Sequence, residues 1–489
     1  MKNIEPIGDL INLEGLDLSS NQITDIKVLS HLKSLKYLYL RSNLITNIDP
    51  IRSLINLNKL YLRENQIKDI EPLKNLRNLV YLTLSFNPVS NIYSVCNLTS
   101  LTYLALTNDS IIHIDFLKYL TKLDTLYLSQ NQIKNIEPIQ NLIHLKYLYL
   151  SHNLIENLEP IHNLTSLIHL YIYNNKIRSI DSIGDLIELT VLYMANNQIT
   201  NIDQLSNLVK LDDLTIRGNN VSNFDSIKNL NLLTDLDISE NQISDLYFLQ
   251  NHTNLVNLYL YDNQISMLNS LSQLMSLTKL SINKNLIKNL EPISKLTKCE
   301  YLFMASNKIE RLESIKNMTN LIFLNMSYNQ IVNIEGVEML RQLETIDLSN
   351  NKIEHINSIS SNLISLKKLY LSSNSIKIID NLLNGFTSMN IRVVDLRNNS
   401  LNDDLLIKRT NNVISMKKNE RLERLSKNFI FLKSFNLITK NDITSIVGVD
   451  YYYCYLVLDL LKKNIQLNLY FHEQLNDFLF KCKFINLDF

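Results

Sequence analysis

The sequence predicts an α/β solenoid of about eighteen stacked 22-residue coils, with a parallel sheet on one side and short 3₁₀ or irregular segments on the other. A small, mainly helical unit follows at the C-terminus. Three observations predict the solenoid: an asparagine that returns every 22 residues, an alternating Leu-x-Leu just before it, and a spacing near three just after it.

The asparagine comes first because it sets the phase. It stands at Asn21, Asn43, Asn65 and Asn87, then runs from Asn131 to Asn351 in steps of 22, with Asp109 filling the one gap. The register then slips to Asn374 and Asn399. Its amide carries donors and an acceptor, so it can bond turn and adjacent-coil backbone groups that a sheet leaves unpaired. Asp109 keeps the acceptor and loses the donors, and its coil should be locally weaker.

Around each asparagine one pattern returns, as in Leu13-x-x-Leu16-x-Leu18-x-x-Asn21-x-Ile23-x-x-Ile26-x-x-Leu29-x-x-Leu32. The Leu-x-Leu part alternates with period 2, which makes a short strand with leucines inward and the intervening residues outward. The second half, spaced near three, suits a tight 3₁₀ or irregular turn. Pro6, Pro50, Pro72, Pro138, Pro160 and Pro292 all occupy one slot in that half, each after Asp or Glu. A turn tolerates the lost donor there, and a central strand would not. One coil cannot bury its own apolar face, so neighbours must stack on a shared core.

The pattern, including Asn21-Gln22-Ile23-Thr24-Asp25-Ile26 and Asn43-Leu44-Ile45-Thr46-Asn47-Ile48-Asp49-Pro50, resembles the 22-residue class of leucine-rich repeats over residues 4 to about 400. That class includes bacterial internalins and the leucine-rich regulatory subunit of protein phosphatase 1. The resemblance implies a curved horseshoe whose concave sheet binds another protein.

The organisation expected is therefore a solenoid at 1–400 and a cap or accessory unit at 401–489, with helix-like segments at 417–435, 450–463 and 470–481. The apolar run Tyr451-Tyr452-Tyr453-Cys454-Tyr455-Leu456-Val457-Leu458 would be its core. At the other end Ile7, Leu10, Leu13 and Leu16 form an uncapped coil. A monomer is expected unless that open edge pairs.

Composition narrows function. Lys plus Arg and Asp plus Glu both total 48, so no bulk field draws the chain to nucleic acid or anionic lipid. No apolar run approaches the ~18 residues of a membrane helix, so membrane insertion is not expected. Only seven glycines occur, none spaced as a dinucleotide or phosphate loop. Four scattered cysteines form no C-x-x-C, and His472-Glu473 belongs to no H-E-x-x-H, so no metal, cofactor or catalytic residue is assigned. Met1 is followed by Lys-Asn-Ile-Glu-Pro with no apolar leader, which points to a cytoplasmic or nuclear location. The sequons at Asn97, Asn163, Asn251 and Asn317 read as by-products of repetition.

Function should then lie on outward strand residues that the core does not use. The residue between the two strand leucines is tyrosine in eight of eighteen coils: Tyr39, Tyr61, Tyr127, Tyr149, Tyr171, Tyr193, Tyr259 and Tyr370. Strands lie ~4.8 Å apart, so Tyr127, Tyr149, Tyr171 and Tyr193 should form a ladder on the concave face. Flanking positions add Tyr37, Tyr81, Tyr103, Tyr147, His169, Tyr173, Tyr261 and Tyr301. An acidic stretch follows at Asp213, Asp235 and Asp237 with Glu240, moderated by Arg217, while Arg41, Lys59 and Arg63 lie nearer the N-terminus. Tyrosine offers a large apolar face and a polar tip at low rotamer cost, which suits recognition.

The candidate protein-binding residues are Tyr39, Tyr61, Tyr127, Tyr147, Tyr149, His169, Tyr171, Tyr173, Tyr193, Asp213, Arg217, Asp235 and Asp237. The function they favour is a non-enzymatic scaffold for a protein ligand. Alternatives are a targeting subunit of a phosphatase or ubiquitin ligase complex, an enzyme active in the C-terminal unit, and an extracellular adhesin.

Overall fold

A computed structural model of the chain describes residues 1–359, 362–377 and 391–401. The expected C-terminal helices lie outside the described residues. The chain divides into two compact units, Met1–Gln264 and Ile265–Phe489.

Every strand in the first unit is three residues long. They begin with β1 (Gly15–Asp17), β2 (Tyr37–Tyr39), β3 (Lys59–Tyr61), β4 (Tyr81–Thr83), β5 (Tyr103–Ala105) and β6 (Thr125–Tyr127). They continue with β7 (Tyr147–Tyr149), β8 (His169–Tyr171), β9 (Val191–Tyr193), β10 (Asp213–Thr215), β11 (Asp235–Asp237) and β12 (Asn257–Tyr259). Each pairs in parallel with the next, residue on equivalent residue, as in Leu148↔Leu170 and Tyr149↔Tyr171. The second unit repeats the scheme from β13 (Lys279–Ser281) to β18 (Val393–Asp395). Its register absorbs the slip seen in the asparagines, with Thr345 opposite Lys368 and Lys368 opposite Val393.

The core follows the repeat. In the seventh coil Leu145, Leu148, Leu150, Ile155, Leu158, Ile161 and Leu164 are all buried. The spacing near three becomes a chain of 3₁₀-type bonds: Ile161 N–H to Leu158 O at 2.9 Å, Leu164 N–H to Ile161 O at 2.9 Å, and Leu167 N–H to Leu164 O at 3.0 Å. Short 3₁₀ helices such as Glu137–Ile139 and Glu159–Ile161 stand here, and all six repeat-slot prolines sit in their first turns. An Asn or Asp two residues upstream receives the entering N–H, as Asn157 Oδ1 does from Glu159 at 2.9 Å.

The asparagine ladder is built into the backbone. Asn153 Nδ2 donates to Leu150 O in its own coil at 2.9 Å and to Leu128 O in the preceding coil at 3.0 Å, while its Oδ1 accepts Ile133 N–H at 3.0 Å. Just before each ladder residue stands one with left-handed φ, from Ser20 at +56° through Phe86 at +62° to Asn398 at +55°. Only Gly218 in that column is glycine; the rest carry side chains despite a cost of ~1–2 kcal/mol each. Placed so, their N–H groups reach the next coil, as Ser42 N–H does to Arg63 O at 2.9 Å.

Asp109 interrupts the ladder. Its Oδ1 accepts Asn87 N–H at 2.9 Å, but Oδ2 is buried without a hydrogen-bond partner. Leu84 O and Leu106 O, which an asparagine at 109 would bond, each receive one ladder amide instead of two. Those remaining bonds are short, Asn87 Nδ2 to Leu84 O at 2.6 Å and Asn131 Nδ2 to Leu106 O at 2.7 Å. Burial pushes the Asp109 carboxyl up to about 8.

Candidate functional site

With each central leucine in the core, the first and third residues of each strand face outward. Across the first unit they make two columns. The third-residue column holds Tyr39, Tyr61, Thr83, Ala105, Tyr127, Tyr149, Tyr171 and Tyr193 on β2 to β9. In the first-residue column the same strands carry Tyr37, Lys59, Tyr81, Tyr103, Thr125, Tyr147, His169 and Val191.

Eight tyrosines form one continuous row of ring contacts, four stacked, two tilted and the last edge-on. Ring centroids lie 4.5 Å apart for Tyr39–Tyr61, 4.6 Å for Tyr61–Tyr81, 3.9 Å for Tyr81–Tyr103 and 5.5 Å for Tyr103–Tyr127. The series continues at 4.0 Å for Tyr127–Tyr149, 4.6 Å for Tyr149–Tyr171 and 4.8 Å for Tyr171–Tyr193. The stack is longer than one column allows: where the third-residue column offers only Thr83 and Ala105, it steps across to Tyr81 and Tyr103. Thr83 and Ala105 are buried. Sequence spacing places Tyr81 and Tyr103 among the flanking residues, outside the candidates. The available signal was the coincidence of two small residues in one column with two tyrosines beside them.

Within the row the rings lie against one another and several hydroxyls meet, Tyr81 with Tyr61 and Tyr103, and Tyr127 with Tyr103 and Tyr149. Burial, with neighbouring tyrosines, pushes the Tyr61 phenol up to about 12. Burial likewise holds Tyr103, Tyr149 and Tyr193 above the ordinary tyrosine range, helped by the hydroxyls of Tyr81 and Tyr127 for Tyr103 and of Tyr127 for Tyr149. The stack ends differently from the way it runs. Tyr193 stands at 72° to Tyr171, and its hydroxyl donates to Asp213 Oδ2 at 2.5 Å.

The remaining candidates flank the stack. Tyr147 meets His169 edge to face at 5.0 Å, and Tyr173 meets His152 at 5.2 Å. Burial holds the His169 imidazole below its ordinary value. Asp235 accepts from Asn257 Nδ2 at 2.6 Å, and Asp237 Oδ1 from Ser239 N–H at 3.0 Å. Arg217 pairs with Glu240 at 2.9 Å, donates to the Tyr261 hydroxyl and lies over that ring at 5.0 Å. Burial, followed by the charges of Asp235 and Asp212, raises the Asp213 carboxyl; burial raises Asp237, against Ser239 and Arg217.

A family model described as leucine-rich repeats (2 copies) matches residues 11–53, 55–97, 121–163, 143–186, 165–207, 187–229 and 319–363. An internalin from Listeria monocytogenes is 32% identical, with 61% of this chain and 88% of that one covered and a TM-score of 0.59. The chain is a leucine-rich-repeat protein of the 22-residue class. Other repeat proteins share the fold at lower identity. A Leptospira interrogans leucine-rich-repeat protein matches at 24% identity and a TM-score of 0.68, covering 80% of this chain and 98% of that one. The plant peptide hormone receptor RGFR1, solved in complex with RGF2, matches at 24% identity and a TM-score of 0.67, covering 82% and 69% respectively. None of the curated proteins searched matches this leucine-rich-repeat protein. Among the described residues, no helix is long and apolar enough to cross a membrane.

Proposed function

We propose that this protein is a non-enzymatic scaffold that binds a protein ligand on the tyrosine-rich strand face of its first unit. The leucine-rich-repeat fold suggests a protein–protein interaction scaffold. The observation that carries the finer reading is the unbroken row of ring contacts through eight half-buried tyrosines from Tyr39 to Tyr193. The leucine core of each coil is complete without these rings, so the outward tyrosines are free to serve recognition. A stack is also pre-ordered: each ring is held by its neighbours before a ligand arrives, which lowers the entropy lost on binding. The plant receptor of similar fold holds RGF2, which supports a protein or peptide ligand here.

The test compares wild type with a variant in which Tyr127, Tyr149, Tyr171 and Tyr193 are all changed to Ser. Circular dichroism first confirms that both fold, and proximity or pull-down mass spectrometry then records partners. The expected outcome is loss of a protein partner with the fold intact. An unchanged partner set overturns the reading.

A further inference from the structure

The stack has two chemically different ends. At the outward positions of β4 to β9, taken as the first and third strand residues and the residue two further on, there is no Asp, Glu, Lys or Arg. Before this neutral tract, β2 and β3 bring Arg41, Lys59 and Arg63 to the face; after it, β10 and β11 bring Asp213, Asp235 and Asp237, with Arg217 as the base among them.

Several of these charges are not held in an ion pair, although Arg41 is near enough to Glu64 to lower its carboxyl. Among the described residues, Arg41 and Lys59 form no ion pair, and no cation lies within ion-pair distance of Asp213 or Asp235. Arg63 is paired to Glu64. Asp213 meets repulsion from Asp235 and Asp212 with no basic group opposing it. At β10 itself the chain supplies its own example of what such a surface holds: the Arg217 guanidinium, set against the Tyr261 ring and the Glu240 carboxylate. At Tyr193 the same pairing of phenol and carboxylate occurs, with the ring turned out of the stack.

Resting on the reading of this face as a protein-binding surface, we infer that its ligand is an extended, charge-polarised protein segment. Its lysine or arginine side chains meet Asp213 and Asp235, and its carboxylates meet Arg41 and Lys59. The neutral tyrosine tract between takes the uncharged middle of the segment through ring edges and hydroxyls. From β3 to β10 there are seven strand steps of ~4.8 Å, roughly 34 Å, which about ten extended residues would span. Complementary charges at both ends also fix the direction in which the segment lies, since reversal would set like charges together.

The probe is a displayed library of random peptides about 16 residues long, selected on the full chain at low salt. Three variants are run beside wild type after circular dichroism confirms their fold: Asp213→Asn with Asp235→Asn, Arg41→Gln with Lys59→Gln, and Tyr127→Ser with Tyr149→Ser. The expected result is enrichment of peptides with basic residues in one half and acidic residues in the other, always in the same order. Each charge variant should weaken them about tenfold or more. Enriched peptides that need the tyrosines, yet show no charge segregation and bind both charge variants as well as wild type, overturn the polarity while the binding face stands. Failure to enrich any peptide sensitive to either set of substitutions counts against both.

Discussion

The seventh and eighth coils and the fourth and fifth are built from the same template, and they depart from each other in two places at once. In the former, Asn153 and Asn175 complete their hydrogen bonds, and Tyr149 and Tyr171 stack in a single column. In the latter, Asp109 leaves an oxygen buried without a partner, and the stack must step sideways through Tyr81 and Tyr103. The core barely registers either change, since Leu82, Leu84, Leu104 and Leu106 are as buried as their counterparts. The lesson is that the leucines fix the coil while the ladder and the outward columns vary on it independently. Stability and surface chemistry can therefore be altered separately.

The largest effect should come from making the regular coil resemble the broken one. Asn153→Ala orphans Ile133 N–H and removes the amide bonds to Leu128 O and Leu150 O, all buried. We expect a loss of about 2–4 kcal/mol in urea unfolding. A change under about 0.5 kcal/mol would show that the ladder bonds are dispensable.

Repairing the broken coil should act in the opposite sense, more weakly. Asp109→Asn restores a donor toward Leu84 O and Leu106 O and should stabilise by about 1–3 kcal/mol at pH 8. The pH dependence has a definite sign. The folded-state value of Asp109, about 8, lies above the ordinary carboxylate value, so the proton favours the fold. Stability is fully present below about pH 4 and is lost as pH rises toward 8. Unfolding measured from pH 5 to pH 8 should show this contribution in wild type and not in the variant; parallel curves would contradict the assignment.

The smallest effect concerns the sideways step. Tyr81→Phe keeps the ring and removes one hydroxyl, so stability should shift by less than about 1 kcal/mol. Spectrophotometric titration should nevertheless show Tyr61 moving down toward the ordinary range, because Tyr81, after burial, helps to hold it up. An unchanged titration would mean that burial and the other neighbouring tyrosines account for the shift without Tyr81.

Much of this architecture was legible in the sequence because it repeats at fixed spacing. The ladder, the inward leucines and the 3₁₀ segments each recur in phase, and the prolines, where present, fall in one slot. What stayed hidden does not follow from spacing. The left-handed column carries Ser, Glu, Gln, Phe, His, Lys and Tyr beside five asparagines, one aspartate and Gly218, so no consistent glycine signature marks it. Tyr81 and Tyr103 join the stack only because Thr83 and Ala105 are small, and the Tyr193 hydroxyl finds Asp213 one coil away. Such contacts depend on side-chain packing between neighbouring coils, which a one-coil consensus averages out.

The tyrosine stack has an optical consequence. The chain has no tryptophan, so its near-ultraviolet absorption and emission arise chiefly from its 24 tyrosines. Eight of them lie with ring centroids 3.9–5.5 Å from the next. Chromophores this close couple, so excitation delocalises or hops along the row, and the row's circular dichroism and emission anisotropy report on its continuity. The proposed binding surface is in this sense its own spectroscopic probe, with no label needed to follow its disruption or the arrival of a ligand.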